Sequence, residues 1–528
     1  MSKPNASITM TSSELKASAF IKQSYKRGIA IIGTSGLVFG LGVASSTPAF
    51  AAAPFECVND GGITDNTAEP GLNPTASRAN IVAVLVEFDN VCLKGDFVIS
   101  EAITFGTDVH VYGDGPSSSI SFEKPVGPYT GGAFLSSIDV DSNFLHDITI
   151  ENLEIKDFDE VAVSGAVVAV KDSKFSDNLS GAVRSGAQAI VVNSIFEGNA
   201  GGAINVEAEA FSELSLITDS TFTNNSVGVV CEEESPCPDP AGGAAILAYG
   251  VLITNSTFVE NSALGSDSFG GAVVAYGVIV NNSTFLGNSA DVENGGAGGA
   301  IYAVGGAISF STFVDNLASA PASDEADNPG NAIYRFNAGF EVPFEIGGNI
   351  FGGTSSNPHL GSGGAGDSNG PFSDTGGNVF STTEVVESDI DKSDSSVFGA
   401  SLSSIFGTSN PTLATFAPDS NGTQTFSINP SGPAVDVVPS EAYETISDYY
   451  ALGFPEEDGY TGEFRISVDV DQRGALRSNL ADAGAFEFGS LARTGGGTSL
   501  LLPLASATLI AVGGFVAAIA SRLRRRTS

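Results

Sequence analysis

The chain has 528 residues, of which 22 are Lys or Arg and 61 are Asp or Glu, so its formal net charge is −39. This acidity excludes a general nucleic-acid or anionic-membrane binder, because both need a surplus of basic residues to neutralise phosphate. Hydrophobic residues make up 42% of the chain, which excludes a disordered acidic tail. The three histidines, His110, His146 and His359, leave little material for histidine-based catalysis or a multi-histidine metal site.

The first 51 residues have the order of a secretory signal peptide. Residues 1–27 are basic with Glu14 as their only acid, and residues 28–45 are apolar and small. Ala49 and Ala51 then supply a small-residue cleavage site, so we interpret residues 1–51 as a signal peptide and the chain as exported. The alternative is an uncleaved membrane anchor, which the short, Gly-rich apolar run fits less well.

Residues 52–94 are interpreted as an N-terminal cap segment, and no convincing amphipathic helical period follows the signal peptide. The chain has four cysteines, Cys57, Cys92, Cys231 and Cys237, which is an even number in an exported protein and predicts disulfides. Of the three possible pairings we favour Cys57–Cys92, before the first repeats, and Cys231–Cys237, at the tip of an insertion. A metal site is the alternative, but no Cys-x-x-Cys pair or nearby His supports it.

Two phrases alternate along the middle of the chain. The first reads Ser-x-Phe-x-x-Asn, with Phe-to-Phe spacings between 21 and 38 residues. The second reads Gly-Gly-Ala and is followed by short stretches rich in Val and Ile. The Phe residues of the first phrase are Phe175, Phe196, Phe222, Phe258, Phe285 and Phe313, with Phe351 in a degenerate last copy.

A period of about 20–45 residues is typical of stacked repeat proteins, and the short β-branched pieces indicate strands. The sequence therefore predicts an all-β fold: a right-handed single-stranded parallel β-helix over residues 95–353, followed over residues 354–490 by a C-terminal continuation of the β-helix and a closing segment. In each coil we expect the Phe to stack on its equivalent about 4.8 Å away. We expect the Asn to form a ladder at a turn in the left-handed conformation, and the Gly pair to form a tight corner.

These phrases resemble the repeats of polymorphic outer-membrane proteins and of the pectate-lyase-like β-helix superfamily. The distal segment adds a second similarity, in which Ser431–Asp436 is followed by Asp471–Gly474, Arg477 and Asp482–Glu487. This order is similar to the ending of the "choice-of-anchor" surface proteins, bacterial β-helix proteins that carry one of several C-terminal anchors. The resemblance implies a fold and a surface location, but no activity.

Two arginines in this distal segment lie among carboxylates in the sequence. We expect Arg473 and Arg477 to pair with Asp469, Asp471 and Asp482, because a buried Arg needs carboxylate partners. We also expect these pairs to close the open end of the solenoid.

The chain ends in three parts: Leu491-Ala492-Arg493-Thr494-Gly495, an apolar stretch of spanning length over 499–520, and a basic tail over 521–528. The pentapeptide resembles the L-x-x-T-G sorting signal of Gram-positive surface proteins. The resemblance implies that a sortase cuts between Thr494 and Gly495 and joins the Thr carbonyl to a peptidoglycan precursor, which places the protein in the cell wall. A plain C-terminal transmembrane anchor is the alternative.

Both cuts together would remove nine basic residues and one acid. The mature chain would then hold 13 basic and 60 acidic residues, a formal charge of −47. The clusters of basic residues thus belong to the targeting segments.

Catalysis in β-helix enzymes needs definite residues. The sequence has no Gly-His-Gly and no Asn-Thr-Asp of the galacturonase type, and the few basic residues of the repeats do not recur at one position. Asp139, Asp141 and Asp157 are the best candidates for paired carboxylates of a glycosidase. The same side chains leave Ca²⁺ binding open, with a solvated acidic surface as the simpler alternative.

The sequence therefore favours a non-enzymatic, wall-anchored surface protein without a cofactor, acting as an adhesin or a stalk. Its ligand would be a glycan or a host protein, and nucleic acid is not expected. The alternative is a polysaccharide lyase or glycoside hydrolase displayed on the wall.

Overall fold

The structure is a computed structural model of the full chain. It describes residues 67–88, 90–114, 118–124, 133–136, 146–207, 214–228, 242–265, 268–291, 296–318, 329–337, 343–354, 358–364, 372–381, 390–413, 424–439, 450–451, 463–464, 471–473, 475–477 and 480–488. All of these residues belong to one compact unit.

The described residues form 35 strands, numbered here in chain order, and two helices. Two long sheets of parallel strands run along the fold and a short third sheet joins them in the middle coils, which confirms the predicted parallel β-helix. Sheet 1 contains β1 (Thr67–Ala68), β2 (Asn90–Leu93), β4 (Ile103–Thr104), β5 (Val109–Gly113), β7 (Leu135–Ser136), β8 (Ile148–Glu151), β10 (Val163–Lys171), β12 (Val183–Val192), β14 (Ile204–Val206), β15 (Ser215–Thr218), β18 (Ile246–Thr254), β21 (Val273–Asn281), β24 (Ile301–Ser309), β27 (Ile333–Asn337), β28 (Phe344–Gly347), β30 (Leu360–Gly364), β31 (Phe372–Gly376) and β33 (Ile390–Asp391).

Sheet 2 has 11 strands, one for each coil, so it spans about 48 Å at ~4.8 Å per step. These strands are β3 (Asp96–Ile99), β6 (Ser119–Phe122), β9 (Glu154–Lys156), β11 (Lys174–Ser176), β13 (Ile195–Glu197), β16 (Thr221–Thr223), β19 (Thr257–Val259), β22 (Thr284–Leu286), β25 (Thr312–Val314), β29 (Ile350–Gly352) and β32 (Val379–Phe380).

A short third sheet and one antiparallel pair complete the strands of the described residues. Sheet 3 contains β17 (Ser226–Val227), β20 (Ser262–Leu264), β23 (Ser289–Asp291) and β26 (Leu317–Ala318), and the antiparallel pair is β34 (Tyr450–Ala451) with β35 (Glu463–Phe464).

The Phe of each repeat phrase lies in the interior, in register with the Phe of the next coil. Phe258 pairs with Phe222 on one side and with Phe285 on the other. Its ring centroid lies 4.9 Å from that of Phe222 and 4.6 Å from that of Phe285, and the rings are nearly parallel. The stack continues through Phe380 to Phe398. Because each ring contacts two equivalents, one position of the repeat fills the core along the axis.

The Asn of the phrase forms a buried ladder, as predicted. Asn225 Nδ2 donates to Asn261 Oδ1 over 2.9 Å, and Asn261 Nδ2 donates to Asn288 Oδ1 over 2.9 Å. Each Asn also donates to a backbone carbonyl of the preceding coil. The predicted left-handed conformation, however, belongs to the residue before the Asn, such as Asn224 with φ 54° or Glu260 with φ 52°.

The Gly-Gly-Ala phrase forms a tight corner, as predicted. Gly270 has a φ of +53°, and a Cβ placed on it would lie 2.2 Å from the carbonyl oxygen of Val273. Gly298 repeats both features one coil later. Only Gly fits here, since a side chain would be strained and would collide with backbone.

A second left-handed corner joins sheet 1 to sheet 2 in each coil. This corner is occupied mainly by Asn or Asp, which tolerate the conformation best among residues with a side chain. Phe310 is the exception, with a φ of 46° and a fully buried ring. Members of this column are Asn152, Asp172, Asn193, Asp219, Asn255, Asn282 and Phe310.

The sequence predicted no helix after the signal peptide, and this prediction is wrong. Helix α1 (Pro74–Phe88) lies in the predicted cap segment, with Asn73 accepting from the Ala76 N–H at its start. Ser77, Ile81 and Leu85 are four residues apart, and they are buried against the first coils. The period was hidden because the other faces also carry valines, which alternate like a strand.

The parallel strands of the solenoid run from β1 to β33, so they begin before residue 95 and continue into the segment after residue 353. Helix α2 (Leu402–Phe406) follows, capped by Ser401 and ended by Gly407 at φ 78°. Among the described residues no helix is long and apolar enough to cross a membrane. The predicted signal peptide, sorting motif, span at 499–520 and basic tail lie outside the described residues.

Candidate functional site

The predicted acidic candidates are only partly within the described residues. Asp139 and Asp141 lie outside them. Asp157 occupies the turn after β9 with a φ of 63°, and its N–H donates to the Ser176 carbonyl of the next coil. Asp177 repeats this conformation one coil later. Asp157 therefore holds a recurring turn of the scaffold.

Two carboxylates and a histidine meet at the start of β8. Asp108 Oδ1 lies 3.6 Å from His146 Nδ1 and accepts from the Asp147 N–H over 3.1 Å. Asp147 Oδ1 in turn accepts from the Val167 N–H. Burial raises the pKa of Asp147 above its ordinary value, and the charge of Asp108 acts in the same direction. This group ties neighbouring coils together.

A charged group lies on the outer face of sheet 1 in the first coils. Glu151, with 8% of its surface exposed, lies between His110 and Lys171 on the two adjacent strands. Its Oε2 is 3.6 Å from His110 Nε2, and its Oε1 contacts Lys171 Nζ. The His110 ring and Lys171 together hold the pKa of Glu151 below its ordinary value, against the effect of burial. The carboxylate is thus kept ionised as a structural ion pair.

Ion pairs also bridge the outer faces of the following coils. Lys174 Nζ lies 3.0 Å from a Glu197 carboxylate oxygen and 3.8 Å from one of Glu154. Arg184 and Glu207 form a pair at 2.6 Å one coil apart in sheet 1. Since these side chains are partly exposed, each pair adds about 0–1 kcal/mol, and their main effect is to fix the surface charge pattern.

An aromatic group covers the outer face of sheet 1 in the later coils. Tyr249 stacks on Tyr276 with centroids 5.0 Å apart, and Tyr302 stacks on Tyr334 at 5.4 Å. Tyr276, Tyr302 and Tyr334 are all less than 9% exposed. They therefore pack as a second apolar layer on the sheet.

The cysteine prediction is supported at one position. Cys92, on β2, is disulfide-bonded. Cys57, Cys231 and Cys237 lie outside the described residues, so the pairing stays a prediction. Within the described ranges, no group of three or more His, Cys, Asp or Glu side chains is arranged to hold a metal ion.

The distal segment packs along the flank of the solenoid. We call the described residues of 401–413, 424–439 and 471–488 the strap. An apolar cluster lies between the strap and the coils. In it, Ile405 and Val438 of the strap join Ile279 and Ile350 of the coils, and all four are buried.

Four hydrogen bonds fix the last part of the strap on sheet 2 and on the corner that precedes it. Gln472 accepts from the Thr284 hydroxyl over 2.7 Å and donates to Thr257 Oγ1 over 3.0 Å. The Ala485 N–H donates to Thr312 Oγ1, and the Gly484 N–H donates to the Gly348 carbonyl. Successive coils thus each contribute to one docking surface.

Arg477 is the central side chain of this docking surface. Its guanidinium lies 4.2 Å from the centre of the Phe310 ring, and its Nη2 donates to Asn282 Oδ1 over 2.8 Å. Its Nη1 lies 3.5 Å from Glu487 Oε2. Phe310 and Asn282 are neighbours in the left-handed corner column, so the exception in that column is the platform on which Arg477 docks.

A network of buried charges shapes the strap itself. The Asp471 carboxylate accepts from Arg473 Nη2 over 2.6 Å and from the N–H groups of Arg473, Ala475 and Glu487. The Arg473 guanidinium also lies 3.7 Å from the centre of the Phe486 ring. Burial raises the pKa of Asp482 to about 6, and the charges of Glu487 and Asp436 act in the same direction.

The predicted Arg–carboxylate pairing is confirmed for Arg473 with Asp471, and Arg477 pairs with Glu487. Asp482 instead accepts from backbone N–H groups, and Asp469 lies outside the described residues. The predicted position at the open end is wrong. The part of the strap that carries them contacts coils from Thr257 to Gly348 through Gln472 and Gly484, because the outer face there is apolar and hydroxylated and can bury a partner.

A change along the outer face of sheet 2 could have predicted the strap. In the early coils this face carries Glu154 and Lys174, which need solvent or ion pairs. In the later coils the same position carries Thr257, Thr284 and Thr312, each at most 1% exposed. Where the residue before each Phe is no longer charged, the strap covers the outer face of sheet 2.

The fold defines the class of protein, a parallel β-helix with a lateral strap. Comparison of the chain with protein-family models, with curated proteins and with solved structures found no match.

Proposed function

We propose that this protein is a non-enzymatic surface β-helix that a sortase joins to the peptidoglycan of a Gram-positive cell wall. The observation that carries the proposal is the order of its parts. A solenoid is followed by a strap whose last described residue, Phe488, precedes Leu491 of the sorting motif by three residues. The apolar span and the basic tail that follow are the features that hold a precursor in the membrane until it is cut.

The side chains that recur in the coils support a binding rather than a catalytic role. Phe258 and Asn261 fill the interior, and Asp157 holds a turn. The solenoid would then serve as a support that offers its insertions, and the outer faces that the strap leaves uncovered, to a glycan or a host protein, as loops on a rigid scaffold commonly do.

Cell fractionation tests the anchoring. The protein is expected in the wall fraction, released only by enzymes that digest peptidoglycan. Thr494→Ala removes the residue at which the sortase would form the bond, so this variant is expected in the membrane or the medium. An unchanged wall-bound fraction of Thr494→Ala would contradict the proposal. Thr498→Ala, beyond the motif, is the matched control and is expected to stay in the wall.

A glycan panel tests the absence of catalysis. The mature chain is incubated with acidic and neutral polysaccharides, with and without Ca²⁺, and the products are measured as reducing ends and unsaturated sugars. No turnover is expected. Reproducible cleavage that is lost in Asp139→Asn, Asp141→Asn or Asp157→Asn would establish the enzyme alternative.

A further inference from the structure

In chain order, the strap comes between the solenoid and Thr494, the residue proposed to be joined to the wall. Only residues 489–494 separate Phe488 from the proposed bond at Thr494, which is about 20 Å of fully extended chain. The strap contacts coils that precede it by more than a hundred residues, since Gln472 bonds to Thr257 and Arg477 bonds to Asn282. A force applied at Thr494 therefore acts on the contacts of the strap before it acts on the last coil.

We propose that the strap is the mechanical joint that passes tension from the wall attachment to the flank of the solenoid. This inference rests on the proposed wall anchoring. Without the strap, the same pull would act on the last coil near Phe398, whose ring is stacked on Phe380 on one side and partly exposed. The last coil would then separate first, and the others would follow one at a time.

The contacts of the strap suit such a joint because several coils carry it together. Gln472 bonds to β19 and β22, Arg477 to the corner that follows β21, and Gly484 and Ala485 to the corner after β28 and to β25. A pull at Phe488 thus loads hydrogen bonds on several coils. The Arg477 side chain is fully buried, so losing it leaves Glu487 buried without that charge partner.

The resistance of the joint is set by its rate of detachment, as in any forced unfolding. Removal of one partner of a buried ion pair costs about 3 kcal/mol or more, which corresponds to roughly 100-fold faster detachment. Arg477→Met is the test variant. Arg184→Met is the matched control, because it breaks the partly exposed pair with Glu207 on a coil that the described strap contacts do not reach.

Single-molecule pulling between a handle on the N-terminal side and a handle at Thr494 measures the joint directly. The first event is expected to release residues 399–488, which is at most about 320 Å of chain, before any coil unwinds. Arg477→Met should detach about 100-fold faster at the same force, and Arg184→Met should detach like the wild type. An unchanged first event in Arg477→Met, or coils that unwind before the strap, would overturn the proposal.

A cross-linked variant keeps the test decisive if Arg477→Met fails to fold. The hydroxyl oxygens of Thr284 and Thr425 lie 3.0 Å apart, so Thr284→Cys with Thr425→Cys offers a disulfide between coil and strap. When it is oxidised, the first event should shorten to residues 426–488, at most about 230 Å, and reduction should restore the full length. An oxidised protein with an unshortened first event would refute the joint. Wall anchoring is tested independently, by fractionation of the wild type and Thr494→Ala. A pulling result that contradicts the mechanical joint therefore leaves the proposed anchoring unaffected.

Discussion

At the scale of the residue, the buried Asn ladder is the most constrained feature of the coils. Asn261 accepts from the backbone N–H and the side-chain amide of Asn225, and it donates to Asn288 and to the Phe222 carbonyl. Every hydrogen-bonding group of this amide therefore has a partner, and each partner is itself buried. A side chain that supplied only a donor or only an acceptor would leave one neighbour unsatisfied.

We predict that Asn261→Ala destabilises its coil by about 3 kcal/mol, because it removes the buried acceptor of the Asn225 N–H and amide groups and one donor to the Phe222 carbonyl. Native-state amide exchange of residues near Asn225 measures the local effect, which suits a repeat protein better than one global transition. The control is Asn224→Gly, at a φ of 54° that Gly adopts freely, with an expected change below about 1 kcal/mol. Equal effects of the two substitutions would contradict the ladder's role.

Because His359 is buried, we predict that the solenoid loses stability in acid. Burial lowers the pKa of its ring to about 4, while the unfolded chain takes up the proton near pH 6.5. Its contribution to stability is present above that pH and is lost as the pH falls towards 4. Between about pH 7 and 5 the loss is about 2 kcal/mol. Denaturant unfolding of wild type and His359→Gln checks this, and the variant should lose about 2 kcal/mol less over that interval.

The sequence predicted these repeating residues because they recur. Phe222 and Asn225 return at one position of each coil, and any stack of strands with that period places them in one column. The role of Phe310 could not be predicted in this way. The residue can be recognised as a corner residue only when its register with Asn282 is known. Its role depends on Arg477, which lies 167 positions later in the chain.

At the scale of the element, the strap and α1 are the parts that the sequence did not locate. Neither repeats, so no period reveals its position. The strap could be recognised as Arg–carboxylate pairs, but its place on the flank depends on the uncharged face of Thr257 and Thr284 that it covers. Docking between segments that are distant in sequence depends on the fit of two surfaces, and the composition of one segment alone does not reveal that fit.

We predict that Phe310→Asn releases the strap while the coils stay folded. Asn is common at this left-handed corner and removes the strain of a bulky residue at φ 46°, but it also removes the ring beneath Arg477. Limited proteolysis should cleave the strap faster in Phe310→Asn than in the wild type. Phe488→Asn is the control, since that ring is 43% exposed and its loss should not alter cleavage of the strap. Slow cleavage in both variants would refute this role of Phe310.

Asp482 predicts that the strap is held more firmly in mild acid. Its pKa of about 6 lies above its unfolded value near 3.8, so its carboxylate opposes docking above pH 6 and the penalty fades as the pH falls. In the pulling assay the first event should be about tenfold slower at about pH 5 than at about pH 8. Faster detachment at pH 5 than at pH 8 would contradict this role of Asp482. The stability of the coils is expected to change in the opposite direction, since His359 lowers it in acid.

At the scale of the whole molecule, a long solenoid is followed by one proposed point of covalent attachment, Thr494. Much of the acidic surface of the early coils is organised in ion pairs such as Lys174 with Glu197, while the later coils are covered by the strap on one side. The formal charge of −39 keeps such a surface repelled from other polyanions. We propose that Thr494 holds this surface in the cell wall.

Mass spectrometry of the wall-bound C-terminal peptide tests that claim most directly. The protein is released with a peptidoglycan hydrolase, denatured and cut after Glu residues, so the last fragment begins at Phe488. We expect the fragment Phe488–Thr494 with its terminal carbonyl in amide linkage to a peptidoglycan peptide. A fragment that continues through Gly495 into the apolar span, or that ends elsewhere without a peptidoglycan peptide, would contradict it.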